Sequence, residues 1–189
     1  MKIIILEGIA TSGKTSVKNE LTKILDIRGF EHLFVDEDET LMPVLNNKDP
    51  EVSARYLESV LTKYLAHPKS VIIFDRFYLS HIWRTGGDLA KFETCTNLLL
   101  REKAKICFLE IPGDKIPERI QLAVSHRDQQ WNDYVKTRGN TQGEVNNYYL
   151  KQQESLLNLL KIIAVPHHIF DTGDMDFVRV AEKINSLIT

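Results

Sequence analysis

Three features of the sequence predict an α/β fold built on one parallel sheet. Short apolar runs alternate with amphipathic stretches along the whole chain, the pattern of parallel strands joined by helical crossovers. Several runs, among them Ile3-Ile4-Ile5-Leu6 and Val71-Ile72-Ile73-Phe74, are unbroken, as in strands covered on both faces. The first run leads directly into Gly8-Ile9-Ala10-Thr11-Ser12-Gly13-Lys14-Thr15. That segment fits G-x-x-x-x-G-K-[ST] and is followed by helical spacing at Val17, Leu21, Ile24 and Leu25.

Taken in order, the first strand ends at Glu7 and the first helix, from Ser16, runs toward Gly29, a C-cap candidate. Residues 31–35 read as strand two, followed at once by Asp36, Glu37, Asp38 and Glu39. Asp49-Pro50 is a helix start, with Asp as N-cap and Pro at the first position. Val52, Tyr56, Leu57, Val60, Leu61 and Tyr64 supply its apolar face, and Pro68 stops it. Residues 70–74 are strand three, and Asp75-Arg76-Phe77-Tyr78 comes off its end. His81 and Trp83 fall in a loop that runs on through Gly86-Gly87 to a helix over 92–103. Residues 105–111 are strand four, stopped by Pro112-Gly113, and a helix follows from Pro117 to about His126. Residues 125–143 are polar and poor in apolar anchors, which predicts a mobile flap. A long amphipathic helix over 142–163, a buried strand five over 167–170 opened by His167-His168, and a last helix to about Leu187 complete the chain.

The 189 residues suit one domain, 1–189, with a core of its own. A net charge of −2 provides no overall basic field to recruit nucleic acid. Cys95 and Cys107 have no metal-type spacing and read as buried free thiols. The N-terminal apolar run is too short for a secretory segment and no stretch reaches bilayer length, so a cytoplasmic protein without membrane contact is expected.

Ligands of such sheets bind at the carboxyl edge of the strands, where three chemically loaded segments fall. In the first, the glycines let backbone N–H groups of residues 8–16 turn toward phosphate oxygens, and the helix dipole adds to their field. Lys14 is a mobile charge for β- and γ-phosphates, and Thr15 can ligate Mg²⁺. Gly8, Ile9, Ala10, Thr11, Ser12, Gly13, Lys14, Thr15 and Ser16 are therefore the expected ATP cradle. In the second, Asp75 stands where an acid can share Mg²⁺ with Thr15, and Arg76 is a planar fork suited to phosphate. Phe77, Tyr78 and Trp83 are candidates to line an acceptor pocket. In the third, Asp36, with Glu37 beside it, is the candidate general base. Arg119, Arg127 and Arg138, in or near the flap, can close on the transferring phosphoryl group, Arg127 being the best placed.

Leu6-Glu7-Gly8-Ile9, the loop after it, and Asp75-Arg76-Phe77-Tyr78-Leu79-Ser80 with Gly86-Gly87 resemble the thymidylate kinase family. The related deoxyribonucleoside kinases are similar at the same points. The resemblance implies a P-loop nucleoside triphosphate hydrolase fold: a three-layer sandwich with a five-stranded sheet of order 2-3-1-4-5, Mg-ATP as donor, a nucleoside or nucleotide acceptor, and often a homodimer. Thymidylate kinases carry Arg-Glu-Pro after strand two, where this chain has Asp36-Glu37-Asp38. The acidic segment is more like the carboxylate base of deoxyribonucleoside kinases, and four acids there would repel a phosphate acceptor and favour a hydroxyl. An NTP-binding regulatory switch, or a kinase of an unrelated small alcohol, would share the same loop.

Overall fold

The computed structural model describes residues 2–67 and 69–188. Pro68, expected to stop the helix that starts at Asp49-Pro50, lies outside them.

Five parallel strands form one sheet in the order β2-β3-β1-β4-β5. They are β1 (Lys2–Glu7), β2 (His32–Val35), β3 (Val71–Asp75), β4 (Lys105–Glu110) and β5 (His167–Asp171). The side-chain period of two splits β1 between the faces. Ile3 and Ile5 join one apolar cluster with Ile72, Phe74 and Phe108, whereas Ile4 and Leu6 join the other with Val71, Ile73 and Cys107. The second cluster is capped by α1 (Lys14–Ile27) through Val17, Leu21 and Leu25, and by α9 (Phe177–Ser186) through Val180, Ala181 and Ile184. The first cluster is capped by α3 (Pro50–Leu65), α5 (Glu93–Arg101) and α8 (Gln142–Leu160). This is the expected three-layer sandwich. Both cysteines are buried free thiols, held in the protonated form by burial.

Between these pieces lie α2 (Glu37–Thr40), α4 (Leu79–Arg84), α6 (Ile116–His126) and α7 (Gln129–Lys136). Two of them correct the sequence reading. His81 and Trp83 are on α4, not in a loop, because the segment after Arg76 turns back onto the sheet and buries Leu79 and Ile82. Residues 125–143, expected to be poor in apolar anchors, contain α7, capped by Asp128, whose carboxylate accepts the Trp131 N–H at 2.8 Å, and pinned by the buried Val135. A third correction concerns β5: it is the sheet edge, and His167, His168 and Ile169 are exposed. The core face of that end is supplied instead by Val165, one residue before Pro166.

Candidate active site

The loop from Gly8 to Gly13 joins β1 to α1 at the sheet's carboxyl edge. Gly8 has φ +145°, and a Cβ there would lie 2.7 Å from the Leu109 carbonyl oxygen. Gly13 has φ +95°, and a Cβ would lie 2.2 Å from the Phe177 ring. Both positions therefore require glycine, for conformation and for space. Lys14 folds back over the loop, its Nζ donating to the carbonyls of Gly8 at 3.1 Å and Ile9 at 3.0 Å. Burial, reinforced by the Arg76 charge, pulls its pKa down to about 8. Arg119 braces the loop from outside, donating from Nη2 to the Thr11 carbonyl at 2.9 Å and from Nη1 to the Thr172 carbonyl at 3.1 Å. Its guanidinium lies 5.4 Å over the Phe177 ring.

The exit of β3 is fixed by Glu7, which the sequence reading left out of the site. Its buried carboxylate accepts the N–H of Tyr78 at 2.9 Å, the N–H of Ser80 at 3.3 Å and the Ser80 hydroxyl at 2.7 Å. Arg76, between these contacts and β3, takes φ +52° and donates its N–H to the Leu6 carbonyl at 2.9 Å. That left-handed turn sends Phe77 and Tyr78 inward and leaves Arg76 at the edge. Phe77 stacks on Phe74 at 4.4 Å and the Tyr78 hydroxyl meets Thr96, so both are core. Neither lines the cavities described below, where an acceptor contact had been expected. His81 is likewise a strut: Nε2 donates to the Thr40 carbonyl at 2.9 Å and Nδ1 accepts from the Ser53 hydroxyl at 2.7 Å. Burial lowers its pKa to about 3, so the ring is neutral.

The four acids after β2 disperse. Asp36 precedes α2, and its carboxylate turns to Lys18 on α1. Glu39 is held by Lys63 at 2.5 Å and the Tyr64 hydroxyl at 2.6 Å. Glu37 points the other way, with Oε2 3.1 Å from Arg76 Nε. The alignment makes this an ion pair rather than a hydrogen bond, since Nε has no hydrogen-bond acceptor. Asp38 faces the larger cavity. The acids therefore do not form the common repelling field that their spacing in sequence implied.

Two cavities open along this edge. The smaller, about 350 Å³, is lined by Thr11, Gly13, Lys14, Thr15, Ser16 and Asp75 and runs out toward Arg119, Met175 and Phe177. The larger, about 750 Å³, lies between α2, α4, α7 and α8, with Trp83, Trp131, Tyr134 and Tyr148 on its wall. Ala10, Glu37, Arg76 and Arg127 line both. Arg138 opens only to the larger one, and Asp36 lines neither. The Arg127 guanidinium lies 4.8 Å over the Trp131 ring.

The smaller cavity fits a magnesium nucleotide on its own chemistry. Gly13, Lys14, Thr15 and Ser16, the end of the loop and the first turn of α1, line it. Asp75 Oδ1 is buried without a partner, and burial raises its pKa despite nearby Lys14 and Arg76. An orphaned carboxylate oxygen facing a hydroxyl-bearing loop suits Mg²⁺, which takes one or two protein ligands and completes its shell with phosphates and water. Among the described residues no group of three or more His, Cys, Asp or Glu could hold a metal without such help. No helix among them is long and apolar enough to cross a membrane.

No family model matches the chain, and no curated protein matches its sequence. Solved structures match its fold. The YorR protein of Bacillus subtilis, in complex with phosphorylated GDP, superposes with a TM-score of 0.64 at 15% identity, covering 99% of this chain and 95% of that one. Shikimate kinase from Bacteroides thetaiotaomicron gives 0.57 at 16% identity, covering 99% and 98%. Shikimate kinase from Acinetobacter baumannii, in complex with shikimate, gives 0.53 at 18% identity, covering 100% and 93%. At these identities the likeness is one of fold, the P-loop α/β fold expected from the sequence. None of these three carries the name of the thymidylate or deoxyribonucleoside kinases.

Proposed function

We propose that the protein is an ATP-dependent phosphotransferase that carries a γ-phosphoryl group to a small-molecule acceptor of nucleoside or nucleotide type. The observation that carries this reading is the seam formed by Ala10, Glu37, Arg76 and Arg127, shared by a phosphate-binding cavity and a larger aromatic one. A switch protein needs only the first cavity; a transferase needs two that meet where the phosphoryl group moves.

The residues divide the work accordingly. The backbone of residues 8–16, Lys14 and Arg119 hold the donor. Thr15 and Asp75 hold Mg²⁺, which when bound neutralises charge on the donor phosphates. Arg76, fixed by Glu7 and paired with Glu37, faces the group in transfer, where a guanidinium offsets charge on the equatorial oxygens. Glu37, not Asp36, is the base that takes a proton from an acceptor hydroxyl, because it alone of the pair lines the seam. The flap brings Arg127 over the seam and excludes water. The aromatic wall of Trp83, Trp131, Tyr134 and Tyr148 supports a flat ring in the acceptor. The fold shared with YorR in complex with phosphorylated GDP, and with shikimate kinase in complex with shikimate, is in keeping with a nucleotide and a small molecule side by side.

The test is thermal melting with nucleosides, nucleoside monophosphates and hydroxy metabolites, with and without Mg-ADP, followed by transfer of labelled γ-phosphate from ATP. Expected is an acceptor class that stabilises further on the Mg-ADP complex and becomes labelled. Tight ATP binding without transfer to any acceptor would overturn the kinase reading in favour of a switch.

A further inference from the structure

Helix α2 is a single turn of four residues, too short to hold a position by its own hydrogen bonds. Its last two carbonyls are fastened from neighbouring helices. The Tyr56 hydroxyl on α3 donates to the Glu39 carbonyl at 2.6 Å. His81 Nε2 on α4 donates to the Thr40 carbonyl at 2.9 Å, and the Ser53 hydroxyl on α3 meets Nδ1 of the same ring at 2.7 Å. A carbonyl only accepts, so Nε2 carries the proton, and in the neutral ring Nδ1 takes the hydrogen of Ser53.

Through Thr40 this hold reaches the exit of β3. The Thr40 hydroxyl donates to the Asp75 carbonyl. The N–H of the same peptide unit, that of Arg76, donates to the Leu6 carbonyl at 2.9 Å. The peptide joining Asp75 to Arg76 is therefore gripped at both ends, by α2 and by β1, just before the left-handed turn at Arg76. A peptide unit tilts as one rigid plane, so its angle sets the directions in which the two flanking side chains leave. Asp75 leaves toward the donor cavity and Arg76 toward the seam. At the other end of the same turn of helix, Glu37 stands 3.1 Å from Arg76. Ser53, His81 and Thr40 are themselves fully buried, and none of them lines either cavity.

We propose that Ser53, His81 and Thr40 form a positioning relay, running from α3 to the Asp75–Arg76 peptide, that aims Asp75 at the metal and Arg76 at the group in transfer. The inference rests on the kinase reading above for the metal and the transferred group; the hydrogen bonds that make the relay stand without it. An apolar side chain at Thr40 would take the donor from the Asp75 carbonyl and leave the plane to tilt on the Leu6 bond alone. Small displacements of a metal ligand or a reacting group are costly, so the loss of one hydroxyl that touches no ligand is felt at the metal.

Thr40→Val removes the hydroxyl at nearly constant volume, Thr40→Ser restores it, and Ser53→Ala acts at the far end of the relay. The first readout is hydrogen exchange in the ligand-free protein, comparing the Arg76 amide with that of Ile73 in the middle of β3. In Thr40→Val the ratio of the two rates is expected to rise about tenfold or more, and in Thr40→Ser to stay near wild type, whereas a loss of packing alone raises both rates together. The second readout is the Mg²⁺ concentration that gives half of the thermal stabilisation by the non-hydrolysable ATP analogue adenylyl imidodiphosphate. It is expected to rise about threefold or more in Thr40→Val and by less in Ser53→Ala, while stabilisation by the analogue in excess chelator stays as in wild type. An unchanged value of either readout in Thr40→Val, or equal changes in Thr40→Val and Thr40→Ser, overturns the relay. If Thr40→Val does not fold, Ser53→Ala decides by the same two readouts. If the analogue stabilises the wild type without regard to Mg²⁺, the kinase reading fails instead, and the exchange ratio alone decides the relay.

Discussion

The carboxylate of Glu7, at the end of β1, accepts the backbone N–H of Tyr78, the residue before α4, at 2.9 Å. With the two bonds from Ser80 it fixes the chain on the far side of the Arg76 turn.

Replacing Glu7 by Ala leaves two buried amides without an acceptor and is expected to cost about 2–4 kcal/mol in denaturant unfolding. Glu7→Gln keeps an acceptor oxygen and is expected to cost about 1 kcal/mol or less at neutral pH. Burial raises the Glu7 pKa, the bonds from Ser80 and Tyr78 and the Arg76 charge acting against it. Between the ordinary carboxylate value and the raised one, the folded state binds more protons than the unfolded state. Stability therefore falls as pH rises through that window. Melting against pH should show this decline in wild type and lose it in Glu7→Gln; equal slopes would mean that Glu7 is not the group responsible.

Lys14 gives two trends of opposite sign. With its pKa lowered to about 8 by burial, the folded protein binds fewer protons than the unfolded chain between about 8 and the ordinary lysine value. Stability of the ligand-free protein therefore gains from Lys14 as pH rises across that window. Donor phosphates need the charged form, so nucleotide affinity falls as pH rises above about 8, by up to tenfold per unit. Nucleotide titrations and ligand-free melts over pH 7–10 check both. Lys14→Ala should lose phosphoryl transfer, keep the fold and flatten both profiles; near-normal turnover would remove Lys14 from the mechanism.

Asp75→Asn separates a metal ligand from a structural acid. The unpartnered Oδ1 and the burial-raised pKa mean that the ionised carboxylate is held at a cost. The amide should melt at the same temperature as wild type or higher. Its Mg²⁺ requirement for nucleotide binding should rise about tenfold with the loss of a charged ligand. An unfolded variant, or an unchanged Mg²⁺ titration, would assign Asp75 to the fold.

The fold was legible because its signals are local. The strand–loop–helix unit at 2–25, the unbroken apolar runs and the cap at Asp49 are all read from neighbours in the chain. The turn that joins β1 to α1 was legible for the same reason, since residues 8–16 are one continuous segment. What failed was set by contacts distant in sequence. Asp36 and Glu37 are adjacent, yet Lys18 takes one and Arg76 the other. Phe77 and Tyr78 follow a site residue but are turned inward by the positive φ of Arg76, which nothing in the residue type announces. Thr40 carries no motif, and its hydroxyl finds its partner 35 residues on, at the Asp75 carbonyl. Glu7 had a readable signal, an acid closing a buried apolar strand, which points to a buried polar network.

Which acid after β2 takes the acceptor proton can be settled by a pair of isosteric changes. Asp36 pairs with Lys18 on the face of α1 and touches neither cavity. Glu37 lines both cavities and stands 3.1 Å from Arg76. General-base assistance is worth about 10²–10⁴ in rate, so Glu37→Gln is expected to lower kcat by that range with a hydroxyl acceptor. The amide matches the carboxylate in shape and can still face Arg76, so KM should move by no more than about threefold, since ground-state binding is retained. Asp36→Asn breaks a partly exposed ion pair and should leave kcat within about twofold and stability within about 1 kcal/mol. Single-turnover transfer from Mg-ATP, with the chemical step isolated, is the measurement. If Asp36→Asn is the slower of the two, the proton leaves through the Lys18 side of α2 and Glu37 serves only to orient Arg76. If neither change slows the reaction, the acceptor atom is already ionised, as a phosphate oxygen would be, and no carboxylate base is needed.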